Sequence, residues 1–235
     1  MSSFRETLKQ VLLADSFDFT GEQLDMSVAF RDYLLERNRV MNLTGLTEDR
    51  DIAVKHFLDS LYLLRCGEIK DGSTLLDIGS GAGFPGMVCR IFRPDLKIFL
   101  MDSLEKRCGF LQELCNILGT EDVTVLKGRA EEFGRKEEYR GAFDYVTARA
   151  VANAAVLAEY GIPFLKEGGS LLMMKGREET TVPEGVLSEL NCGAVRSISY
   201  SLEGDGRNLI SVIKQGPTPE KYPRRPGVPA KKPLK

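Results

Sequence analysis

Asp77-Ile78-Gly79-Ser80-Gly81-Ala82-Gly83-Phe84-Pro85-Gly86 joins a short apolar run to a helical stretch, with residue types suited to a backbone that bends tightly against a ligand. Glycines adopt dihedrals and permit close approaches that a Cβ would block. Nineteen residues beyond Gly83, Asp102 closes the next apolar run, where a carboxylate can accept hydrogen bonds from a ribose diol. Strand, glycine loop, helix, strand and terminal Asp in register point to a nucleoside-bearing cofactor. The spacing is Gly-x-Gly-x-Gly, not that of the dinucleotide fingerprint, and Asp77 stands two positions before the first glycine. A carboxylate there suits a cationic or amino-acid-bearing ligand better than a pyrophosphate, which prefers unopposed amides at a helix N-terminus. S-adenosylmethionine, with its sulfonium and its amino-acid tail, satisfies both ends. The chain has no Gly-x-x-x-x-Gly-Lys-Ser/Thr, which removes the P-loop alternative. An NAD-dependent oxidoreductase shares the Asp102 logic but fits this loop poorly.

The elements that must position these residues divide the chain. Phe4, Leu8, Val11 and Leu12 recur at helical spacing. Thr20 with Gln23 forms a capping-box pattern for a second helix running through Leu24, Phe30 and Leu34 toward Asn38. A third, capped by Thr47, carries Ile52, His56, Leu61 and Leu64. From Thr74 onward, apolar runs (Thr74–Ile78, Lys97–Met101, Val123–Leu126, Phe143–Thr147) alternate with glycine turns and helical stretches, the texture of βαβ units and a mainly parallel sheet. Ser103 is placed to cap the helix after the second run, and Gly119 to end it. Ser170–Lys175, Val195–Leu202 and Leu209–Lys214 read as strands, the last two joined in a hairpin across Glu203-Gly204-Asp205-Gly206.

Composition narrows the class. With 235 residues, 43% hydrophobic and 28% charged, the chain suits one large α/β domain with a modest extension. No apolar run approaches the length of a membrane span. Cys66, Cys89, Cys108, Cys115 and Cys192 form an odd set without a Cys-x-x-Cys pair, as expected of reduced core residues in a cytoplasmic protein. With His56 as the single histidine, no metal site is expected. The net charge is only −2, yet seven Lys and Arg against Glu220 alone fall between Lys214 and Lys235. A basic tail on an acidic body fits a terminus that meets a polyanion, or one that merely solubilises. Six of the ten prolines fall there too, which predicts an extended arm that is neither helix nor central strand.

Together, Asp77 to Gly86 with its Phe-Pro-Gly ending, His56-x-x-Asp59-Ser60, Asp102-Ser103-x-x-Lys106-Arg107, Arg129-Ala130-Glu131-Glu132-Phe133, Arg149-Ala150 and Lys175-Gly176 resemble the RsmG (GidB) methyltransferases, over about Phe30 to Lys214. The tail Tyr222-Pro223-Arg224-Arg225-Pro226-Gly227-x-Pro229 resembles that of the family's Gram-positive members. The resemblance implies a Rossmann-like methyltransferase fold, mostly parallel with a C-terminal antiparallel hairpin and a helical N-terminal extension. Periodicity and composition divide the chain into a helical subdomain over 1–70, a methyltransferase domain over 71–215 and a basic Pro-rich tail over 216–235. The resemblance also implies S-adenosylmethionine as cofactor and N7 of a guanine in 16S ribosomal RNA, free or in the small subunit, as acceptor. Carried onto these residues, it puts the cofactor against Gly79, Phe84, Ala130, Glu131 and Arg149, joined by Gly81, Gly83 and Asp102 from the argument above. Arg129, Arg149, Lys175 and Arg207 are expected to position RNA around the site. Guanine N7 holds a lone pair and no proton, so no general base is required and no catalytic residue is expected. His56 is expected to be structural or positioning, with Asp59 a natural partner. A methyltransferase for small molecules or proteins, and a noncatalytic RNA-binding factor, are the competing readings.

Overall fold

The computed structural model describes residues 3–235. Helix α1 (Phe4–Ala14) and helix α2 (Gly21–Met41) open the chain, the second started by the expected reciprocal Thr20–Gln23 capping box. The third helical region is α3 (Asp49–Ile52), a π-helical turn (Ala53–Leu58) and α4 (Asp59–Cys66) in unbroken succession. Glu48, not Thr47, precedes it, and no side chain caps it. The widened π turn, a feature frequent at functional sites, carries Lys55 and His56.

The α/β region then runs β1 (Thr74–Ile78), α5 (Gly86–Phe92), β2 (Lys97–Asp102), α6 (Glu105–Leu118), β3 (Val123–Lys127), α7 (Ala130–Phe133), β4 (Phe143–Arg149), α8 (Ala154–Gly161), β5 (Leu165–Gly176), α9 (Glu184–Glu189), β6 (Cys192–Leu202) and β7 (Asp205–Lys214). A last turn of helix, α10, spans Val228–Lys231. The seven strands form one sheet in the order β3-β2-β1-β4-β5-β7-β6. β1 to β5 pair in parallel, and β7 runs antiparallel to both β5 and β6. This is the α/β fold expected, hairpin included. Glu203 and Gly204, both with positive φ, make the two-residue turn whose twist matches the flanking strands.

Two core clusters cover the sheet. One joins Phe4, Phe30 and Phe57 of the N-terminal helices to Leu75, Ile98 and Leu100, while the other packs Leu76, Ile78 and Met101 against α8. Fully burying each such side chain contributes about 1.5–3 kcal/mol, so the N-terminal helices are part of the main core. Alternation along β1 turns Asp77 toward α5 and Ile78 toward α8. The sequence order reverses between β1 and β4, so their carboxyl ends frame the crevice where α/β sheets bind ligands.

Two local expectations are corrected. Ser103 does not cap α6; its N-cap is Leu104, no side chain caps the helix, and the Leu104 N–H donates to Asp102 Oδ1 at 2.9 Å just ahead of it. The tail is not a free extended arm. Tyr222 and Pro229 are buried, and Arg140 donates to the carbonyls of Thr218, Pro219 and Tyr222. Pro229 sits in the first turn of α10, where a missing N–H costs nothing.

Candidate active site

At the carboxyl end of β1 the N–H groups of Gly79 and Ser80 donate to Met101 O at 2.8 and 3.0 Å, pinning the glycine loop to β2. Gly79 has φ +71°, and a Cβ on it would lie 2.6 Å from Val151 Cγ2. Gly81, at φ +56°, donates its N–H to Asp102 Oδ2 at 3.1 Å. Asp102 is nearly buried and also faces Arg107 at 3.4 Å. Behind the loop, Asp77 is fully buried, and Gly86 N donates to its Oδ2 at 3.0 Å while Oδ1 has no partner. Burial pushes this carboxyl up to about 7 against the Gly86 hydrogen bond and the field of Arg149.

The resulting cleft, of about 380 Å³, is lined by Gly79, Asp102, Ser103, Arg129, Ala130 and Glu131, with Tyr160 behind. Ala130 and Glu131 open α7 directly after β3. Its volume falls in the range of small-molecule sites. Two carboxylates at its wall and one orphaned carboxylate oxygen behind the loop fit a ligand carrying hydroxyls and positive charge. Glu131 is already engaged, since its Oε1 accepts from Gly227 N at 2.9 Å and lies 3.6 Å from Arg129.

A second cleft, of about 520 Å³, lies across Ala150, which lines both. Ala150 has φ +55°, a conformation that costs a non-glycine residue roughly 1–2 kcal/mol. The second wall is cationic, with Lys55, Arg149, Lys175 and Arg207. Arg149 donates to Asp59 Oδ2 at 3.0 Å, to Lys55 O at 2.9 Å and to His56 Nδ1 at 3.2 Å. Tyr200 donates to the other Asp59 oxygen at 2.8 Å; burial, then Asp59, pushes its hydroxyl pKa up. His56 stacks on Phe84 with ring centroids 4.4 Å apart, and its Nε2 lies 2.8 Å from Thr44 Oγ1. Burial, reinforced by Arg149, pushes His56 down to about 3, so the ring is neutral, with Nδ1 accepting from Arg149 and Nε2–H donating to Thr44. Lys175 holds Ala152 O and Glu179, which accepts from Ala154 N, so this pair ties the loop between β4 and α8.

The structure brings Gly79, Asp102, Ala130 and Glu131 to the first cleft, with Arg129 at its rim, and Arg149, Lys175 and Arg207 to the second. It does not bring Phe84, Gly81 or Gly83 to a cleft wall. The Phe84 ring is stacked between Phe30 and His56, and a Cβ on Gly83 would touch Phe30, Met87 and Leu111. Both support the loop from behind. Asp59 is not the partner of His56, because Arg149 stands between them. Lys127 is bound to Glu105, and Lys106 lies over a separate surface beside Arg37. Sequence reasoning missed Tyr160, Tyr200 and the Ala150–Ala152 loop. Only the Arg149-Ala150 pair at a strand end signalled that loop. Among the described residues, no group of three or more His, Cys, Asp or Glu could hold a metal ion, and no helix is long and apolar enough to cross a membrane.

Comparison with known proteins identifies the family and the fold. A family model described as rRNA small subunit methyltransferase G matches residues 23–197. The chain is 42% identical over 224 residues to the Ribosomal RNA small subunit methyltransferase G of Alkaliphilus metalliredigens, covering 93% of this chain and 94% of that protein. It is 41% identical to the protein of that name from Pelotomaculum thermopropionicum, covering all of both. Among solved structures, a SAM dependent methyltransferase from Aquifex aeolicus superposes with a TM-score of 0.51 at 19% identity, over 73% of this chain and 97% of that one, a likeness of fold.

Proposed function

Since this chain belongs to the rRNA small subunit methyltransferase G family, we propose that it methylates N7 of a guanine in the 16S ribosomal RNA of the small subunit, with S-adenosylmethionine as donor, in the cytoplasm. The observation that carries this reading is the meeting at Ala150 of a cleft of nucleoside size, walled by Asp102 and Glu131 beside Arg107 and Arg129, and a second cleft in which Lys55, Arg149, Lys175 and Arg207 outnumber Asp59 and Glu179. Gly79, Asp102, Ala130 and Glu131 are the residues to hold the cofactor, Gly81 fixes Asp102, and Gly83 and Phe84 brace the loop. When bound, the cofactor supplies an electrophilic methyl group. The acceptor nitrogen has no proton to lose, which agrees with a second cleft whose one histidine is neutral and spends both ring nitrogens on Thr44 and Arg149.

What the residues supply is alignment and charge. Arg207, 28% exposed and 3.6 Å from Asp205, and Lys55, 42% exposed and paired with Asp51, are the most exposed cations of the second cleft. Arg149 and Lys175 are anchored to Asp59 and Glu179, so they shape the site, fixing the loop that separates the clefts. Arg129, half exposed, stands at the rim of the first cleft. Incubation with methyl-labelled S-adenosylmethionine and small subunits or bare ribosomal RNA, followed by digestion, is expected to place label in 7-methylguanosine. A Gly79→Asp control, whose side chain collides with Val151, is expected to give none. Label absent from all RNA while the cofactor binds would overturn the reading. Arg207→Ala is expected to lower RNA methylation while leaving cofactor affinity within about twofold, because a phosphate contact serves RNA alone. Equal loss of both would assign Arg207 to the cofactor.

A further inference from the structure

The basic C-terminal segment lies along the cofactor cleft, and its charges are directed inward as well as outward. Arg224 places its backbone N, Nε and one terminal nitrogen on Glu159 at 2.6–3.1 Å, and Glu159 is wholly buried on α8. Glu159 therefore requires this partner, since an unpaired buried carboxylate is strongly unfavourable. Three residues further, Gly227, at φ +80°, turns its N–H onto Glu131 Oε1. The helical turn α10 that follows packs on α8, with Pro229 buried and Ala230 completing the wall of the cleft. The outer face carries exposed Arg225, Lys231 and Lys232.

We propose that residues 222–231 form a fixed wall of the cofactor cleft, tethered by Arg224–Glu159 and joined to the site through Gly227–Glu131, so that cofactor affinity depends on this segment. The inference rests on the cofactor reading above. An arm that served RNA alone would need neither an inward-facing arginine nor a hydrogen bond to a carboxylate of the cleft.

Calorimetric titration of S-adenosylhomocysteine into the full-length protein tests this, using Ala230→Trp, Arg224→Ala and Arg224→Lys. Ala230 is exposed, so tryptophan there is compatible with folding, and its indole would occupy the cleft. Ala230→Trp is expected to weaken binding about tenfold or more with Tm unchanged. Arg224→Ala is expected to do the same with a lowered Tm, partly restored by Arg224→Lys, whose single ammonium replaces part of the fork. Ala230→Trp binding within about twofold of wild type overturns the proposal, and this variant alone decides if Arg224→Ala fails to fold. Wild-type protein that binds no S-adenosylhomocysteine would remove the cofactor reading itself. Normal wild-type binding with an indifferent Ala230→Trp removes only the role of the segment.

Discussion

Replacing Asp77 by asparagine is expected to change how stability depends on pH, in a way set by one buried carboxyl group. The unfolded chain titrates this group at 3.8, and burial pushes it to about 7 in the folded protein. Between those values the folded state binds more protons than the unfolded state, so this contribution to stability is fully present below pH 4 and is lost as pH rises through 7. A difference of about three pKa units corresponds to about 4 kcal/mol. Asparagine carries no charge, so it escapes that loss. Its oxygen can still accept from Gly86 N, while its NH₂ takes the place of the unpartnered Oδ1 at a cost of about 1–3 kcal/mol. Relative to wild type, the variant is therefore expected to gain about 1.4 kcal/mol per pH unit from pH 5 to 7 and to level off above 8. It is less stable or equal near pH 5 and more stable at pH 8. Denaturant unfolding of both proteins at half-unit pH steps measures the difference, from which His56, whose protonation in the unfolded chain falls within this range, cancels. A difference that stays flat from pH 5 to 8 would refute the reasoning, because it would mean that Asp77 is ionised and solvated in the fold.

Other expectations follow from the Arg149 cluster. His56→Phe retains the stack on Phe84 but not the titratable ring; the wild type, with His56 held near 3, is expected to lose stability relative to this variant by about 1.4 kcal/mol per unit as pH falls below 6.5. Parallel stability curves from pH 6.5 to 4.5 would count against a neutral His56. Asp59→Ala removes the carboxylate shared by Arg149 and Tyr200, and a broken buried pair is expected to cost about 3–5 kcal/mol by equilibrium unfolding, against under 1 kcal/mol if the pair were solvated.

The parts legible in the sequence are those fixed by neighbours along the chain. The positive φ angles of Gly79, Gly81 and Gly83, the Thr20–Gln23 capping box and the Glu203–Gly204 turn each depend on dihedral freedom or hydrogen bonds within a few residues, so residue type and spacing announce them. The alternation of strands and helices likewise identifies the sheet, whose carboxyl edge is where such folds bind ligands. Partner choice over long separations was not legible. His56 and Arg149 meet across 93 positions, and Arg224 and Glu159 across 65, and nothing local distinguishes Arg149, held by the buried Asp59, from Arg207, whose partners Gly206 and Asp205 are its near neighbours. Charge counting leaves the tail either an anion-seeking arm or a solubilising one, but the cost of burying Glu159 alone draws Arg224 inward and the tail with it. The family resemblance puts the cofactor against Phe84, yet the packing of α2 and the π turn onto the sheet places Phe30 and His56 on its two faces. Sequence determines what each residue can do; whether its capacity is spent inside the protein or left for a ligand depends on which groups the fold deprives of water together.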